Sequence, residues 1–217
     1  MKGFEKWSKH KVGDVTWVNQ HRRHPHRFHF IDYVKAHGDI SSILEIGGGE
    51  MIEAKELIKN ESLQYTVADV SSSFLSNAKK IKKLTCVEAS MHDLPFCDKE
   101  FDLVYLSSVI EHSPDIIKTI NELSRVSGGY YITMFKWMMK SGDLTSQYRS
   151  PKKYYSTMFN LPSVISTLRG HGGVDELNVS LASSSEAVSF EEYKRNVIKD
   201  ADRWRNGDRL NIIGRFD

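Results

Sequence analysis

Three consecutive glycines, Gly47 to Gly49, follow a short apolar run, ILEI, and precede a segment of helical character. They restrict the possible folds more than any other stretch of the chain. Where a strand ends in glycines and leads into a helix, backbone N–H groups can approach a ligand with no side chain in the way. A plain turn does not require three glycines, because each one loses conformational entropy on folding. The stretch therefore predicts a ligand-binding loop after the first strand of an α/β sheet.

Apolar runs of strand length alternate with helical segments along the chain, a pattern typical of a parallel sheet covered on both faces. Seven strands are predicted, at 43–46, 64–69, 84–88, 101–106, 129–135, 174–182 and 209–216. Helices are predicted between them at 52–60, 73–83, 114–126, 160–169 and 189–204.

Composition excludes several classes of protein. The 217 residues, 40% of them apolar and 27% charged, can bury one substantial core. No long apolar run or signal-type start is present, so we expect a cytoplasmic protein with no membrane partner. A formal net charge of +2 does not indicate the broad basic surface that nucleic-acid binding requires. Cys86 and Cys97 are too few for a disulfide framework and are expected to be free thiols.

An acidic residue, Asp69, closes the second predicted strand about twenty residues after Gly47. A carboxylate at this place can accept hydrogen bonds from both hydroxyls of a ribose. Asp69 can equally cap the helix that follows, and the two roles are compatible. The glycines and the acid together predict a nucleotide-type ligand, but they do not choose between cofactors.

Four segments in order make that choice. They read ILEIGGGE, YTVADVSSSFLSNAKK, HDLPFCDKEFDLVYLSSVIEHSPD and ELSRVSGGYYITMF. Their order and spacing closely resemble the class I S-adenosylmethionine-dependent methyltransferases of the small-molecule, methyltransferase-11-like type, over residues 40–136. The resemblance implies an α/β, Rossmann-like three-layer sandwich. Its sheet would have seven mostly parallel strands, with the last strand inserted antiparallel.

The resemblance also implies which residues hold S-adenosylmethionine. The methionyl half would lie against Glu45, Gly47, Gly48 and Gly49, and the ribose against Asp69. Five residues of two further loops would lie beside the adenine or meet its edge: Val70, Ser71, Ser90, Met91 and His92.

Two positions depart from the family pattern. Ser90 stands where members usually carry an acidic residue, although its hydroxyl and the Met91 N–H can still hydrogen-bond the adenine. Met51 stands where a third glycine is frequent, and we expect the chain to be helical already at that point.

Methyl transfer from a sulfonium needs alignment of the acceptor and exclusion of water more than covalent help. An oxygen acceptor also needs a base, whereas a nitrogen or sulfur acceptor can react without one. The resemblance places Ser107 beside the cofactor and His112 near the acceptor. Histidine has the pKa range of a base near neutral pH, so His112 is the candidate catalytic base. Glu111 and His112 can equally be framework.

Most of the nine histidines precede residue 40, and several arginines lie among them. A metal site is disfavoured, because the spacing is irregular and no cysteine or carboxylate pair joins the histidines, and we predict no metal. A second interpretation is a grip on a phosphate or carboxylate, which guanidinium groups suit well. The residues of that grip would be His21, Arg22, Arg23 and Arg27.

A third interpretation of this stretch is an amphipathic helix over 28–36. It would pack Phe28, Ile31 and Val34 on the sheet and leave its polar residues in solvent.

In similar enzymes the N-terminal segment folds over the cofactor as a lid. We therefore expect Trp17, His21 and Arg22 to line the entrance for substrate or cofactor. The predicted organisation is a lid or helical segment over 1–40 and a methyltransferase domain over 41–217.

Two segments of that domain, 136–170 and 184–207, are expected to border the acceptor. The first is rich in aromatic residues and methionine and carries Arg149, Lys152 and Lys153, which suit an anionic acceptor such as a sugar nucleotide. A solvated face explains these charges equally well.

The leading hypothesis is methyl transfer from S-adenosylmethionine to an oxygen or nitrogen of a small-molecule acceptor. One alternative is a non-catalytic protein that binds S-adenosylmethionine or a nucleotide for regulation. Another is an NAD-dependent oxidoreductase on a similar scaffold. The sequence does not decide the oligomeric state.

Overall fold

The computed structural model describes residues 24–135, 137–138, 145–149, 155–182, 187–196 and 208–217. The lid candidates Trp17, His21 and Arg22 lie outside the described residues, as do Arg23, Lys152 and Lys153. Their roles stay predictions.

The strands of the described chain lie in two sheets. They are β1 (Ser42–Ile46), β2 (Gln64–Asp69), β3 (Leu84–Glu88), β4 (Leu103–Ser107), β5 (Gly129–Met134), β6 (Trp137–Met138), β7 (Thr145–Arg149), β8 (Tyr155–Asn160), β9 (Gly172–Ser180), β10 (Ala187–Ser189) and β11 (Arg209–Phe216). The main sheet has eight strands in the order β10-β9-β11-β5-β4-β1-β2-β3, and a small sheet has the order β6-β8-β7.

The helices alternate with the strands of the main sheet. They are α1 (Pro25–Ala36), α2 (Ile52–Leu57), α3 (Ser72–Ala78), a 3₁₀ turn (Ile110–His112), α4 (Ile116–Val126), α5 (Leu161–Arg169) and α6 (Phe190–Asn196). Within the described ranges, no helix combines the length and the apolar character that crossing a membrane requires.

The topology confirms the predicted α/β fold. Strands β1 to β5 pair in parallel, so their carboxyl ends meet along one edge of the sheet. β11 lies antiparallel between β5 and β9, which is the predicted insertion of the last strand. Because functional groups of parallel sheets gather at the carboxyl ends of the strands, this edge is where a site is expected.

The main sheet differs from the prediction by one strand. β10 adds an eighth strand, which pairs antiparallel with β9. The pairing begins with Ala187 opposite Ser180. It covers only three residues, too short for a periodic pattern, and it lies partly in a stretch predicted as helix. The small sheet was not predicted either, because the aromatic residues of 136–160 show no clear alternation.

Two apolar clusters lie on opposite faces of the main sheet, since successive residues of one strand point to opposite faces. On β1, Ile43 belongs to one cluster, which also takes residues of α1, α2 and α3. Leu44 and Ile46 belong to the other, together with residues of α4, α5 and α6. The predicted three-layer arrangement is therefore present.

Helix α1 differs in its buried face from the predicted helix over 28–36. It begins at Pro25, and His24 caps it, so Phe30 faces the sheet and stacks on Tyr105 with ring centroids 3.5 Å apart. Ile31 and Val34 are buried as expected. The prediction for Phe28 is wrong, because at about 100° per residue it faces outward, where 52% of it is exposed.

Candidate active site

The glycine loop, Gly47 to Gly49, leaves the carboxyl end of β1 in a conformation that side chains oppose. Gly47 and Gly49 have φ of +69° and +55°, in the left-handed region that favours glycine. A Cβ on Gly47 would lie 2.7 Å from Val109 Cγ2, and one on Gly48 would lie 2.8 Å from Val67 Cγ1. The first two glycines are therefore required by packing, and the third by its backbone angle alone.

Met51 corrects an expectation from the sequence. It is not helical: its φ of 52° and ψ of 46° are left-handed, and α2 begins at Ile52. A left-handed conformation costs a non-glycine residue about 1–2 kcal/mol. The Met51 side chain is 2% exposed and packs in the cluster with Ala54, and burial of such a side chain contributes about 1.5–3 kcal/mol. Packing thus offsets the backbone strain at Met51.

Asp69, the last residue of β2, connects its own strand end to the glycine loop. Its Oδ1 accepts a hydrogen bond from the Ser71 N–H at 2.8 Å, and the Gly49 and Val70 N–H groups also hydrogen-bond its carboxylate. Burial raises the pKa of Asp69 to about 6, although these hydrogen bonds act to lower it. The helix cap of α3 is Ser71, whose Oγ accepts from Phe74 N, so the carboxylate is not the cap.

Glu45 lies beneath the glycine loop and is 2% exposed. A Cβ on Gly48 would lie 3.3 Å from the Glu45 carboxyl carbon, so the loop covers this side chain. The Glu45 Oε2 accepts a hydrogen bond from Tyr65 at 3.0 Å. Burial raises the pKa of Glu45 well above its usual range, and the nearby Glu53 raises it further.

A buried ion pair lies next to Glu45. Arg27 of α1 donates to both carboxylate oxygens of Glu53 at 2.6 Å, and Tyr105 donates to Glu53 at 2.9 Å. Burial alone lowers the pKa of Arg27, but Glu53, Tyr105 and Glu45 together more than compensate, so its pKa is raised. One guanidinium therefore faces two carboxyl groups, and the raised pKa of Glu45 favours its neutral form, which leaves Arg27 and Glu53 as the charged pair beside it.

The end of β4 brings a further polar pair to this edge. The Oγ of Ser107, which is half-buried, lies 3.1 Å from the Nε2 of His26. His26 is 1% exposed, and its Nδ1 lies 2.7 Å from the Nδ1 of His24. Sequence reasoning missed His26, since nothing within a histidine-rich stretch shows which imidazole will meet a strand end 81 residues away.

Comparison with known proteins fits this geometry. A family described as a methyltransferase domain matches residues 44–133, which run from β1 through β5 and include the glycine loop and Asp69. The ubiquinone/menaquinone biosynthesis C-methyltransferase UbiE of Rickettsia peacockii is 30% identical over 183 residues, covering 80% of this chain and 67% of its own length. The chain belongs to the class I S-adenosylmethionine-dependent methyltransferases.

Two solved structures share the fold of this methyltransferase. One is a methyltransferase in complex with the Haloferax volcanii Trm112 methyltransferase activator, with a TM-score of 0.67, 15% identity, and coverage of 99% of this chain and 98% of its own. The other is the Burkholderia thailandensis 1,6-didemethyltoxoflavin-N1-methyltransferase, solved with S-adenosylhomocysteine. Its TM-score is 0.64 at 14% identity, and the alignment covers 94% of this chain and 82% of its own.

The residues at the strand ends fit S-adenosylmethionine. Gly47 and Gly49 leave the loop bare enough for a close ligand, and the Asp69 carboxylate would be the group to accept hydrogen bonds from ribose hydroxyls. Glu45 is covered by the loop, and its raised pKa favours the neutral carboxyl, so its place in the site is to support the loop from below.

The loop after β3 forms a tight turn in this methyltransferase. The Asp93 N–H donates to the Ser90 carbonyl at 3.0 Å, and the Ser90 Oγ accepts from the His92 N–H. Met91 is 6% exposed and packs in the core. The His92 Nε2 lies 2.9 Å from Ser113 Oγ, so its ring contacts the start of α4. The adenine roles proposed for Ser90, Met91 and His92 would therefore fall to the backbone of the turn.

The 3₁₀ turn places the proposed base of the methyltransferase beside β5. The His112 ring centroid lies 6.2 Å from that of Phe135, and the carboxylate of the buried Glu111 accepts a hydrogen bond from the Phe135 N–H. Glu111 therefore serves as framework. The Arg209 guanidinium, at the start of β11, lies 5.5 Å from the Phe135 ring and was not predicted as a site residue.

Proposed function

We propose that this methyltransferase transfers the methyl group of S-adenosylmethionine to an oxygen or nitrogen of a small, anionic metabolite. The observation that carries the proposal is the polar character of the strand ends beside the cofactor residues. Ser107 ends β4, His112 ends the 3₁₀ turn, and Arg209 begins β11. Such groups suit a polar acceptor that must be oriented and lose a proton.

The charge at Arg209 supports an anionic acceptor. This guanidinium is 6% exposed and stacks over Phe135, and burial lowers its pKa while Glu111 opposes that shift. A buried guanidinium at the carboxyl edge is suited to a carboxylate or phosphate. A sugar nucleotide is one acceptor of this class.

A second candidate is transfer to carbon, which the relationship to UbiE favours, since that relative is named as a C-methyltransferase of quinone biosynthesis. A ring carbon becomes nucleophilic when a neighbouring hydroxyl loses its proton, so the same polar edge serves this chemistry. We keep it second because the likeness is limited to 30% identity.

The test supplies [methyl-¹³C]S-adenosylmethionine to metabolite fractions separated by charge. The ¹³C shift of the labelled product distinguishes O-, N- and C-methyl groups directly. We expect an O- or N-methyl product in the anionic fraction, absent with Asp69→Ala. A C-methyl product would favour the second candidate. Tight binding of S-adenosylhomocysteine with no transfer to any fraction would favour a non-catalytic binding protein.

A further inference from the structure

We propose that His26 receives the proton of the methyl acceptor through the hydroxyl of Ser107. The proposal rests on the proposed function, because it requires an acceptor bound at the end of β4. Ser107 would touch the acceptor, and His26 would act through it as a positioning and proton-accepting residue.

The geometry of the pair suits a proton relay. His26 lies in the first turn of α1 and is 1% exposed, while Ser107 is half-buried at the carboxyl end of β4. Their Nε2 and Oγ atoms are 3.1 Å apart, within hydrogen-bonding distance. The imidazole of His26 therefore meets the end of β4 from the buried side. Of the two groups, the Ser107 hydroxyl is the one that a ligand can contact.

The contacts of His24 determine which nitrogen of His26 carries its proton. As the cap of α1, His24 accepts a hydrogen bond at Nδ1 from the backbone N–H of His26, 3.4 Å away. An imidazole nitrogen that accepts carries no proton. The His26 Nδ1, 2.7 Å from the same atom, must then be the donor of that contact. In the neutral ring the remaining nitrogen, Nε2, has a lone pair, and it faces Ser107.

The other groups around Ser107 leave the imidazole as the strongest base. The Tyr105 hydroxyl donates its own proton to Glu53, so it can only accept from Ser107, and the Ser107 proton has two possible acceptors, Tyr105 Oη and His26 Nε2. A neutral phenol oxygen is a far weaker base than an imidazole nitrogen. Glu53 is in turn paired with Arg27. Burial raises the pKa of Tyr105 well above its usual range, so the phenol stays neutral. A proton that leaves the Ser107 hydroxyl therefore goes to His26.

The step balances as a simple displacement. The acceptor's lone pair forms a bond to the methyl carbon as the bond from that carbon to sulfur breaks, and the sulfonium becomes a neutral thioether. The acceptor's proton passes to Ser107 Oγ while the Ser107 proton passes to His26 Nε2. His26 ends as an imidazolium, and once the methylated product has left, Nε2 returns its proton to Ser107 Oγ while the Ser107 hydroxyl releases its own proton to solvent.

His26→Gln is the informative variant, because its amide can keep the hydrogen bond to Ser107 but cannot accept a proton near neutral pH. His29→Gln is the matched control. His29 lies on the same helix and makes a similar contact, 2.7 Å from Ser180 Oγ on β9, away from the glycine loop. A purely structural role for such contacts would affect both variants alike.

Turnover is measured with labelled S-adenosylmethionine and the reactive metabolite fraction, from about pH 5.5 to about pH 9, a range that spans the ordinary pKa of histidine. We expect kcat of His26→Gln to fall about 10²- to 10⁴-fold, the usual contribution of acid–base catalysis. In the wild-type protein kcat should decline at acidic pH as His26 becomes protonated, and this decline should be absent from His26→Gln. Ser107→Ala should show a similar loss, whereas His29→Gln should stay within about twofold, and the His26 and His29 variants should bind S-adenosylhomocysteine normally.

Turnover of His26→Gln within about threefold of wild type, with the acidic decline retained, would overturn the proposal. If His112→Ala removes that decline instead, His112 is the base. Failure of the wild-type protein itself to bind S-adenosylhomocysteine would refute the proposed function, and is a separate outcome.

A spectroscopic measurement keeps the proposal testable if His26→Gln fails to fold. Histidine-selective ¹⁵N labelling of the wild-type protein reports the protonation of each ring nitrogen. We expect His26 with a protonated Nδ1 and a bare Nε2, and Ser107→Ala should shift the Nε2 resonance of His26 but not the resonances of His29. The opposite tautomer, or no response to Ser107→Ala, contradicts the relay.

Discussion

The carboxyl edge of the sheet has two halves that are built differently. In the half proposed to hold S-adenosylmethionine, called the cofactor half, the backbone of the glycine loop and the carboxylate of Asp69 define the surface, and Glu45 is buried beneath the loop. In the half proposed to hold the acceptor, called the acceptor half, side chains come from α1, β4, the 3₁₀ turn, the residue that follows β5, and β11: His26, Ser107, His112, Phe135 and Arg209. A surface made of backbone depends on local sequence, whereas one made of side chains depends on the fold.

The largest expected effect lies where the two halves meet, at the buried pair of Arg27 and Glu53. Arg27→Met should lower the free energy of unfolding by about 3–5 kcal/mol, because it leaves a buried carboxylate without its cation and close to Glu45. Chemical denaturation measures the change. Adding Glu53→Gln should restore part of the loss.

The control for that change is Lys35→Met, which breaks an exposed pair with Glu56 and should leave the free energy of unfolding almost unchanged. If Arg27→Met lowers the free energy of unfolding as little as Lys35→Met does, the buried pair of Arg27 and Glu53 does not stabilise the fold.

The glycine loop gives the next largest effect. Gly47→Ala should destabilise the protein by about 2–4 kcal/mol, since it adds left-handed strain to a close contact with Val109. Gly49→Ala should cost only the strain, about 1–2 kcal/mol, because no atom lies nearer than 4.0 Å to its new Cβ. Thermal unfolding of both variants tests this ranking. Adding Val109→Ala should relieve Gly47→Ala but not Gly49→Ala, and a failure of that rescue would contradict the packing argument.

Asp69→Asn should separate stability from binding. The pKa of Asp69 rises from an ordinary 3.8 to about 6 on folding, so its ionisation disfavours the folded state. The cost is absent below about pH 4, grows as the pH rises, and is complete above about pH 6, where it is about 3 kcal/mol. Asp69→Asn should therefore be more stable than wild type at neutral pH, by up to that amount, and should lose the advantage near pH 4. Denaturation of both proteins at about pH 4 and at neutral pH measures the difference in their stability. The prediction is contradicted if the advantage of Asp69→Asn over wild type is smaller at neutral pH than at the acidic pH.

The acceptor half should give the smallest effect on stability. His112 is half-buried at the end of a short turn, so His112→Ala should change the free energy of unfolding by less than about 1 kcal/mol and leave S-adenosylhomocysteine affinity unchanged. Calorimetry of binding and unfolding measures both quantities. A large loss of cofactor affinity would show that the halves are not independent.

The difference between the halves also explains what the sequence could predict. The glycine loop and Asp69 are local features whose chemistry follows from residue type and spacing, and the matched family covers both. The parallel sheet covered on both faces followed from alternating strands and helices, and the antiparallel insertion of the last strand followed from the resemblance to the family. The predicted roles of individual site residues remain predictions, and those of Trp17, His21 and Arg22 lie outside the described residues.

What the sequence did not predict depends on contacts between distant residues. Met51 is left-handed because its side chain is buried against α2, and Phe28 is exposed because α1 begins at Pro25. The pairing of His26 with Ser107 requires α1 to lie against β4 through the stacked rings of Phe30 and Tyr105. No spacing rule within the chain gives such a contact.

The central claim is that the glycine loop and Asp69 together bind S-adenosylmethionine, and ligand-dependent thermal unfolding tests it most directly. S-adenosylhomocysteine at about 100 times its Kd should stabilise the wild-type protein by about 2.7 kcal/mol and raise its Tm, while NAD at the same concentration should not. The shift should be lost in Asp69→Asn. A rise in Tm with NAD but not with S-adenosylhomocysteine, or an undiminished shift in Asp69→Asn, would contradict the account.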